Sequence, residues 1–118
     1  MAINLLPEKW NLPSVLVGDT LPATNFLYPG SGTLARVRMK VKDAAGATVL
    51  SLDSDTSGMT INVTTTLAWD FTMDEVAAAT TAGITAGEYA YDIETITSTG
   101  TVRTLVGGAW YLLAQITD

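Results

Sequence analysis

The run ARVRMKVKDAAG, Ala35 to Gly46, decides the architecture of this chain. Cations fall at every second position, as Arg36, Arg38, Lys40 and Lys42, with Ala35, Val37, Met39 and Val41 between them. Successive side chains of a β-strand point to opposite faces, so this period of two predicts a strand with one apolar and one cationic side. DAAG then supplies a turn, and ATVLSLD, 47–53, returns as the second arm of a hairpin whose loop is longer than two residues.

The same alternation recurs outward from this hairpin. DSDTSG, 53–58, is a cluster of turn formers, and MTINVT beyond it sets Met59, Ile61 and Val63 on one face. LAWDFTM repeats the habit with Leu67, Trp69 and Phe71. GEYAYDIETIT, 87–97, alternates Tyr89, Tyr91, Ile93 and Thr95 against Ala90, Asp92, Glu94 and Ile96. STG turns the chain, TVRTLVGG returns, and AWYLLAQIT closes with a further strand. Gly107-Gly108 predicts a bulge or sharp bend between those last two segments. About eight short strands separated by turn signals predict an all-β fold, an antiparallel β-sandwich. One short helix interrupts it: Thr72-x-x-Glu75 has the spacing of a capping box, EVAAATTAG carries the alanines, and Gly83 is the stop.

Composition bounds the chemistry. The 118 residues suit one domain, since single cores occupy roughly 100–150 residues. Without cysteine there is no disulfide and no thiolate. Without histidine the chain lacks the side chain best suited to proton transfer near neutral pH and the commonest metal ligand. A net charge of −6 argues against nucleic-acid and anionic-membrane partners. The opening residues have neither a basic n-region nor an unbroken apolar run, so neither a signal peptide nor a membrane span is expected.

The N-terminal residues 1–13 stand apart from the sandwich domain expected over 14–118. Ile3, Leu5, Leu6 and Trp10 are apolar, and Pro7 and Pro13 confine the stretch to an edge strand or an extended arm. Two readings stay open, a strap on the chain's own sandwich and an arm laid on a neighbouring subunit.

No catalytic constellation emerges. Asp53 and Asp55 lack the further oxygen ligands and the bidentate Glu of a Ca²⁺ loop, and turn chemistry accounts for them. Asp70 and Asp74 suit capping. Asp92 and Glu94 share a strand face, with no aromatic groove to seat a sugar over them. No Ser sits in a G-x-S-x-G elbow, and PGSG, 29–32, lacks the Lys that follows a phosphate loop. Trp69, Trp110, Tyr28 and Tyr111 read as core aromatics, with a sugar site as the alternative. The cationic ladder reads as a solvated face paired across strands to Asp92 and Glu94, each pair contributing about 0.2–1 kcal/mol. The alternative is an interface with an acidic subunit. The expectation is therefore a protein that is not an enzyme and binds no metal or cofactor.

In order along the chain, Gly18-Asp19-Thr20, the Arg36/Arg38 strand, a helix ending near Gly83, and Gly87-x-Tyr89-x-Tyr91-Asp92 form a recognisable series. Gly100, Val102, Leu105, Gly108, Ile116 and Thr117 complete it. Over roughly residues 14–118 this series resembles small phage virion proteins with an Ig-like sandwich similar to the N-terminal domain of phage baseplate upper proteins. The resemblance implies a multi-copy structural part of the tail, baseplate or fibre-attachment region, located in the virion and assembled in the host cytoplasm. Its implied partners are other phage structural proteins and copies of itself. From the residues themselves, the interface expected for such a part is the N-terminal arm with Ile3, Leu5, Leu6 and Trp10, with the ladder Arg36, Arg38, Lys40 and Lys42 tuning orientation. A capsid decoration protein is an alternative within the same class. A carbohydrate- or receptor-binding module at a fibre tip is an alternative from another class, and it requires Trp69, Trp110 or Tyr28 to face solvent.

Overall fold

Strand β4 (Leu34–Lys42) forms where the alternation predicts it, and its Val37, Met39 and Val41 are fully buried while Lys40 and Lys42 are exposed. A computed structural model describes residues 8–30, 32–64 and 68–114 of the chain. Preceding β4 are β1 (Glu8–Lys9), β2 (Val15–Leu16) and β3 (Thr24–Pro29). After it come β5 (Thr48–Asp53), β6 (Met59–Thr64), β7 (Ala68–Met73), α1 (Ala78–Ala82), β8 (Gly87–Thr97) and β9 (Val102–Leu113).

Two sheets result. The larger runs β1–β9–β8–β4–β5 with β2 also on β9, and the smaller runs β3–β7–β6. Between them lies one apolar core, centred on Trp110, Phe71, Met39, Met73 and Ile93. Tyr89, at the start of β8, donates its hydroxyl to the carbonyl of Thr85 four residues upstream. That is the tyrosine corner of immunoglobulin-type sandwiches, where the chain crosses between sheets. The fold is an Ig-like β-sandwich with one short helix, as the alternation and the resemblance lead one to expect.

Four local readings change. The capping box does not form: α1 begins at Ala78, after an Ala77 N-cap without a side-chain bond. Thr72 is held in β7 instead, where its hydroxyl donates to Asn25 (2.9 Å), and Asp74 accepts from the Thr60 hydroxyl (2.8 Å). Sheet pairing thus claims the capping residues, and the helix is anchored from within. The buried Thr81 hydroxyl accepts from the Gly18 N–H (3.1 Å) and donates to the Asp19 carbonyl (2.7 Å).

Gly107-Gly108 does not bend the chain, and β9 is continuous through it. The register slips at Leu105 instead, since Ile93 faces Val106 and Glu94 faces Thr104. The glycines make room: a Cβ on Gly108 would lie 2.2 Å from the Trp10 carbonyl oxygen.

The N-terminal stretch departs from antiparallel pairing. Both β1 and β2 run parallel to β9 and cover its outer edge, so the last long strand is closed by the earliest ones. Between them the Trp10 and Leu12 amides donate to Gly107 (3.1 Å) and Ala109 (3.0 Å). Pro13, which has no N–H to give, interrupts the ladder, and its carbonyl accepts the Trp110 indole (3.1 Å). Residues 8–12 are therefore a strap on their own sandwich. Ile3, Leu5, Leu6, Leu67, Ile116 and Thr117 lie outside the described residues.

Finally, β3 is a strand the alternating runs quoted above do not include. Its inward Phe26 stacks on Phe71 at 5.5 Å between ring centres.

Candidate interaction surface

The cationic ladder lies on the outer face of the larger sheet, where β5 and β8 flank β4. Cross-strand register sets Arg38 opposite both Asp53 and Glu94, and Lys40 opposite Asp92. Two of the cations are consumed within the sheet. The Arg36 guanidinium grips Asp53 with two nitrogens, Nε to Oδ1 at 3.0 Å and Nη2 to Oδ2, and stands 3.4 Å from Asp55. Arg38 Nε donates to Glu94 Oε1 at 2.5 Å. The hydrogen bond from Arg36 holds the Asp53 carboxyl below its ordinary value, against the opposing pull of desolvation.

Asp53 does double duty. Its Oδ1 also accepts from the Asp55 amide (3.0 Å), so the turn that the sequence assigns to it and the ion pair share one carboxylate. Lys40 and Lys42 are exposed and make no ion pair with a described residue. With Arg38, Asp92 and Glu94 they line a shallow depression of about 150 Å³. This face is thus solvated and largely self-neutralised by cross-strand pairs.

The outer face of the smaller sheet is also committed to itself. A bulge in β6 leaves Asn62 between the paired residues Ile61 and Val63. The Asn62 amide donates to Thr72 (2.7 Å), Asn25 (3.1 Å) and Asp70 (3.2 Å). These bonds knit the three strands across the surface.

Two tryptophans that a sugar site would need are in the core. Trp69 is 3 % exposed, with its indole donating to the Gly32 carbonyl (2.9 Å), and Trp110 is 0 % exposed. Tyr28 is half-buried against Phe26 and Phe71. Among the described residues no group of three or more acidic side chains is placed to hold a metal ion. No described helix is long and apolar enough to cross a membrane.

Among the described residues, the gap between the sheets beside Trp10 is left open. Trp10 is 40 % exposed and meets Phe26 edge-on at 5.6 Å, while its backbone is held by β9 and by the Tyr91 hydroxyl. Burial raises the Tyr91 phenol well above its ordinary value, so this donor keeps its proton. Across from Trp10 runs the outer edge of β3, bonded to β7 on its other side. Leu27, 68 % exposed, stands on that edge. Lys9, Trp10 and Thr24–Pro29 together line a groove of about 380 Å³. The ladder and Trp10 are therefore not brought together; they belong to different surfaces. The signal for this groove was in the sequence: Thr24, Phe26 and Tyr28 alternate between Pro22 and Pro29, and prolines bound edge strands.

No protein-family model matches the chain, and no curated protein matches it. Solved structures do resemble it. A family 123 glycoside hydrolase from Clostridium perfringens superimposes with a TM-score of 0.56 at 11 % identity, over 94 % of this chain and 24 % of the hydrolase. The chain thus spans about a quarter of that enzyme. The Ig1 domain of mouse SynCAM 2 is matched with a TM-score of 0.34 at 11 % identity, over 90 % of this chain and 94 % of that one. The ZIG-8–RIG-5 IG1–IG1 heterodimer is matched with a TM-score of 0.35 at 11 % identity, over 95 % and 87 %. At such identity the likeness to the hydrolase concerns fold alone. By sheet order and tyrosine corner the chain is an Ig-like β-sandwich.

Proposed function

We propose that this chain is a structural assembly module of a phage particle, present in many copies in the tail, baseplate or fibre-attachment region, with no catalytic role. The observation that carries the assembly reading is the β3 groove, where a strand edge that no described strand pairs lies beside the exposed Trp10 and Leu27. Open strand edges and exposed aromatics are the features through which proteins add neighbouring chains. The placement in a phage rests on the ordered motifs from Gly18 to Thr117. The paired ladder suits a secondary part in this, fixing orientation more than affinity.

Purified particles test the reading. Quantitative mass spectrometry should find the chain at a fixed, low multiple per tail; hundreds of copies per shell would make it a capsid decoration protein. Absence from particles would remove the virion reading altogether. A carbohydrate module finds less support, because Trp69 and Trp110 are buried.

A further inference from the structure

Strand β3 is bonded to β7 along one side, and no described strand lies along the other. Open edges are commonly blunted by charge or by a bulge. From Thr24 to Tyr28 this edge has neither, and Pro29 closes its end. Phe26 lies at the base of the groove, packed on Phe71 and Trp10, and Leu27 stands at the rim. An extended peptide laid here gains main-chain hydrogen bonds from β3 and rests alternate side chains on aromatic rings.

We propose that the groove receives Ala2–Leu6 of a second copy of this chain, added to β3 as a strand. The segment AINLL carries no charge, and among the described residues Lys9 is the one charged residue lining the groove. Its Ile3 and Leu5 fall on one face of an extended chain, the spacing an aromatic floor requires. Pro7 ends the run, lacking the amide that would continue a ladder.

The course of β1 favours a second copy as the donor. Because β1 is parallel to β9, β9 antiparallel to β8, and β8 antiparallel to β4, strands β1 and β4 run the same way. β3 enters β4 through the short connection 30–33 and so runs against β1. Followed upstream from Trp10, Lys9 and Glu8 therefore head toward the Pro29 end of β3 and away from Thr24. A second copy has no such tether. Each copy then offers one arm and one groove, a heterologous contact that closes into a ring or continues as a row. This inference rests on the assembly reading and names the acceptor within it.

The chain has no native cysteine, so cross-linking reports cleanly. Full-length Leu5→Cys and Leu27→Cys chains, mixed and mildly oxidised, should give a disulfide-linked heterodimer about ten-fold above that from Leu5→Cys with Ala44→Cys. Ala44 is exposed at the β4–β5 turn, away from the groove. Equal yields would overturn the proposal. So would a chain carrying both Leu5→Cys and Leu27→Cys that closes on itself as a monomer, since that places its own segment in the groove. Light scattering gives an independent reading: the mass of the unmodified chain should rise with concentration, and Leu5→Asp should abolish the rise while melting stays cooperative. Association that survives Leu5→Asp ends the groove assignment and leaves the assembly reading standing. A chain monomeric at every concentration ends this proposal, and copy counting in particles then decides the assembly reading separately.

Discussion

The Tyr91 hydroxyl donates to the backbone carbonyl of Trp10, 81 residues away in sequence. Through this bond the middle of β8 reaches across β9 and pins the N-terminal strap from below. Gly108 lies under the same carbonyl, so one oxygen atom fixes both a donor and an empty space.

Removing the donor isolates its worth. Tyr91→Phe keeps the ring and leaves the Trp10 carbonyl without this bond. Urea titration should show a loss of about 1–2 kcal/mol, with faster hydrogen exchange at the Trp10 and Leu12 amides. Unchanged exchange there would mean the strap does not depend on Tyr91.

The same phenol sets an alkaline response. Its folded pKa lies above the unfolded value of about 10, so its stabilisation is complete below pH 10 and is lost as pH rises toward the folded value. Above pH 10, therefore, stability should fall more steeply in the parent than in Tyr91→Phe, read as the difference between their urea midpoints.

Filling the space tests the other half. Gly108→Ala places a methyl 2.2 Å from the Trp10 oxygen, and either strap or strand must move. A loss of about 1–3 kcal/mol is expected, with raised proteolysis before residue 13. Gly46→Ala is the control for an open site, since nothing lies within 4 Å of its added Cβ. Its positive φ makes that substitution strained as well, so the proteolysis pattern separates the two.

Asp53 predicts an acid response of opposite sign. Its folded pKa is depressed, so the stability it supplies is present above the ordinary carboxylate pKa of about 3.9 and is lost as pH falls through the folded value. Below pH 4 the parent should lose stability faster than Asp53→Asn. By contrast, Lys40→Ala and Lys42→Ala should stay within about 0.5 kcal/mol of the parent at neutral pH. A larger loss would mean that these lysines have partners in the folded chain.

Thr81→Val removes the hydroxyl that joins α1 to Gly18 and Asp19 while keeping its volume. The Gly18 N–H and the Asp19 carbonyl lose their partner beside a buried side chain, and a cost of about 1–2 kcal/mol in thermal or urea unfolding is expected. An unchanged midpoint would show the helix to be held by packing alone.

Which features were legible follows from how local their causes are. The alternation in β4 and β8 is a property of neighbouring residues, and both strands formed with the burial it requires except at Ala35, which is exposed because a register shift between Leu34 and Arg36 turns Leu34 inward instead. That the ladder shares a face with Asp92 and Glu94 was readable from that alternation, but which pairs form was not: Arg38 takes Glu94, while Arg36 turns to Asp53 and Asp55 on β5 and the turn after it. The capping box misled because Thr72 had a stronger claim from Asn25, 47 residues away. Gly107-Gly108 misled for the same reason: its cause is the Trp10 carbonyl, which no local window contains. The prolines around β3 marked it as an edge, but the groove stayed hidden because it depends on two distant segments, β3 and Lys9–Trp10.

The parallel seat of β1 and β2 on β9 also sets an order of events. Pro13 and its partner Trp110 are 97 residues apart, so during synthesis the strap is made long before its berth exists. Contacts of such long loop closure form late and slow the search. Until β9 is in place, Trp10, Leu12 and Val15 have nowhere to hide, and a nascent chain must either keep them shielded or risk premature capture by its neighbours.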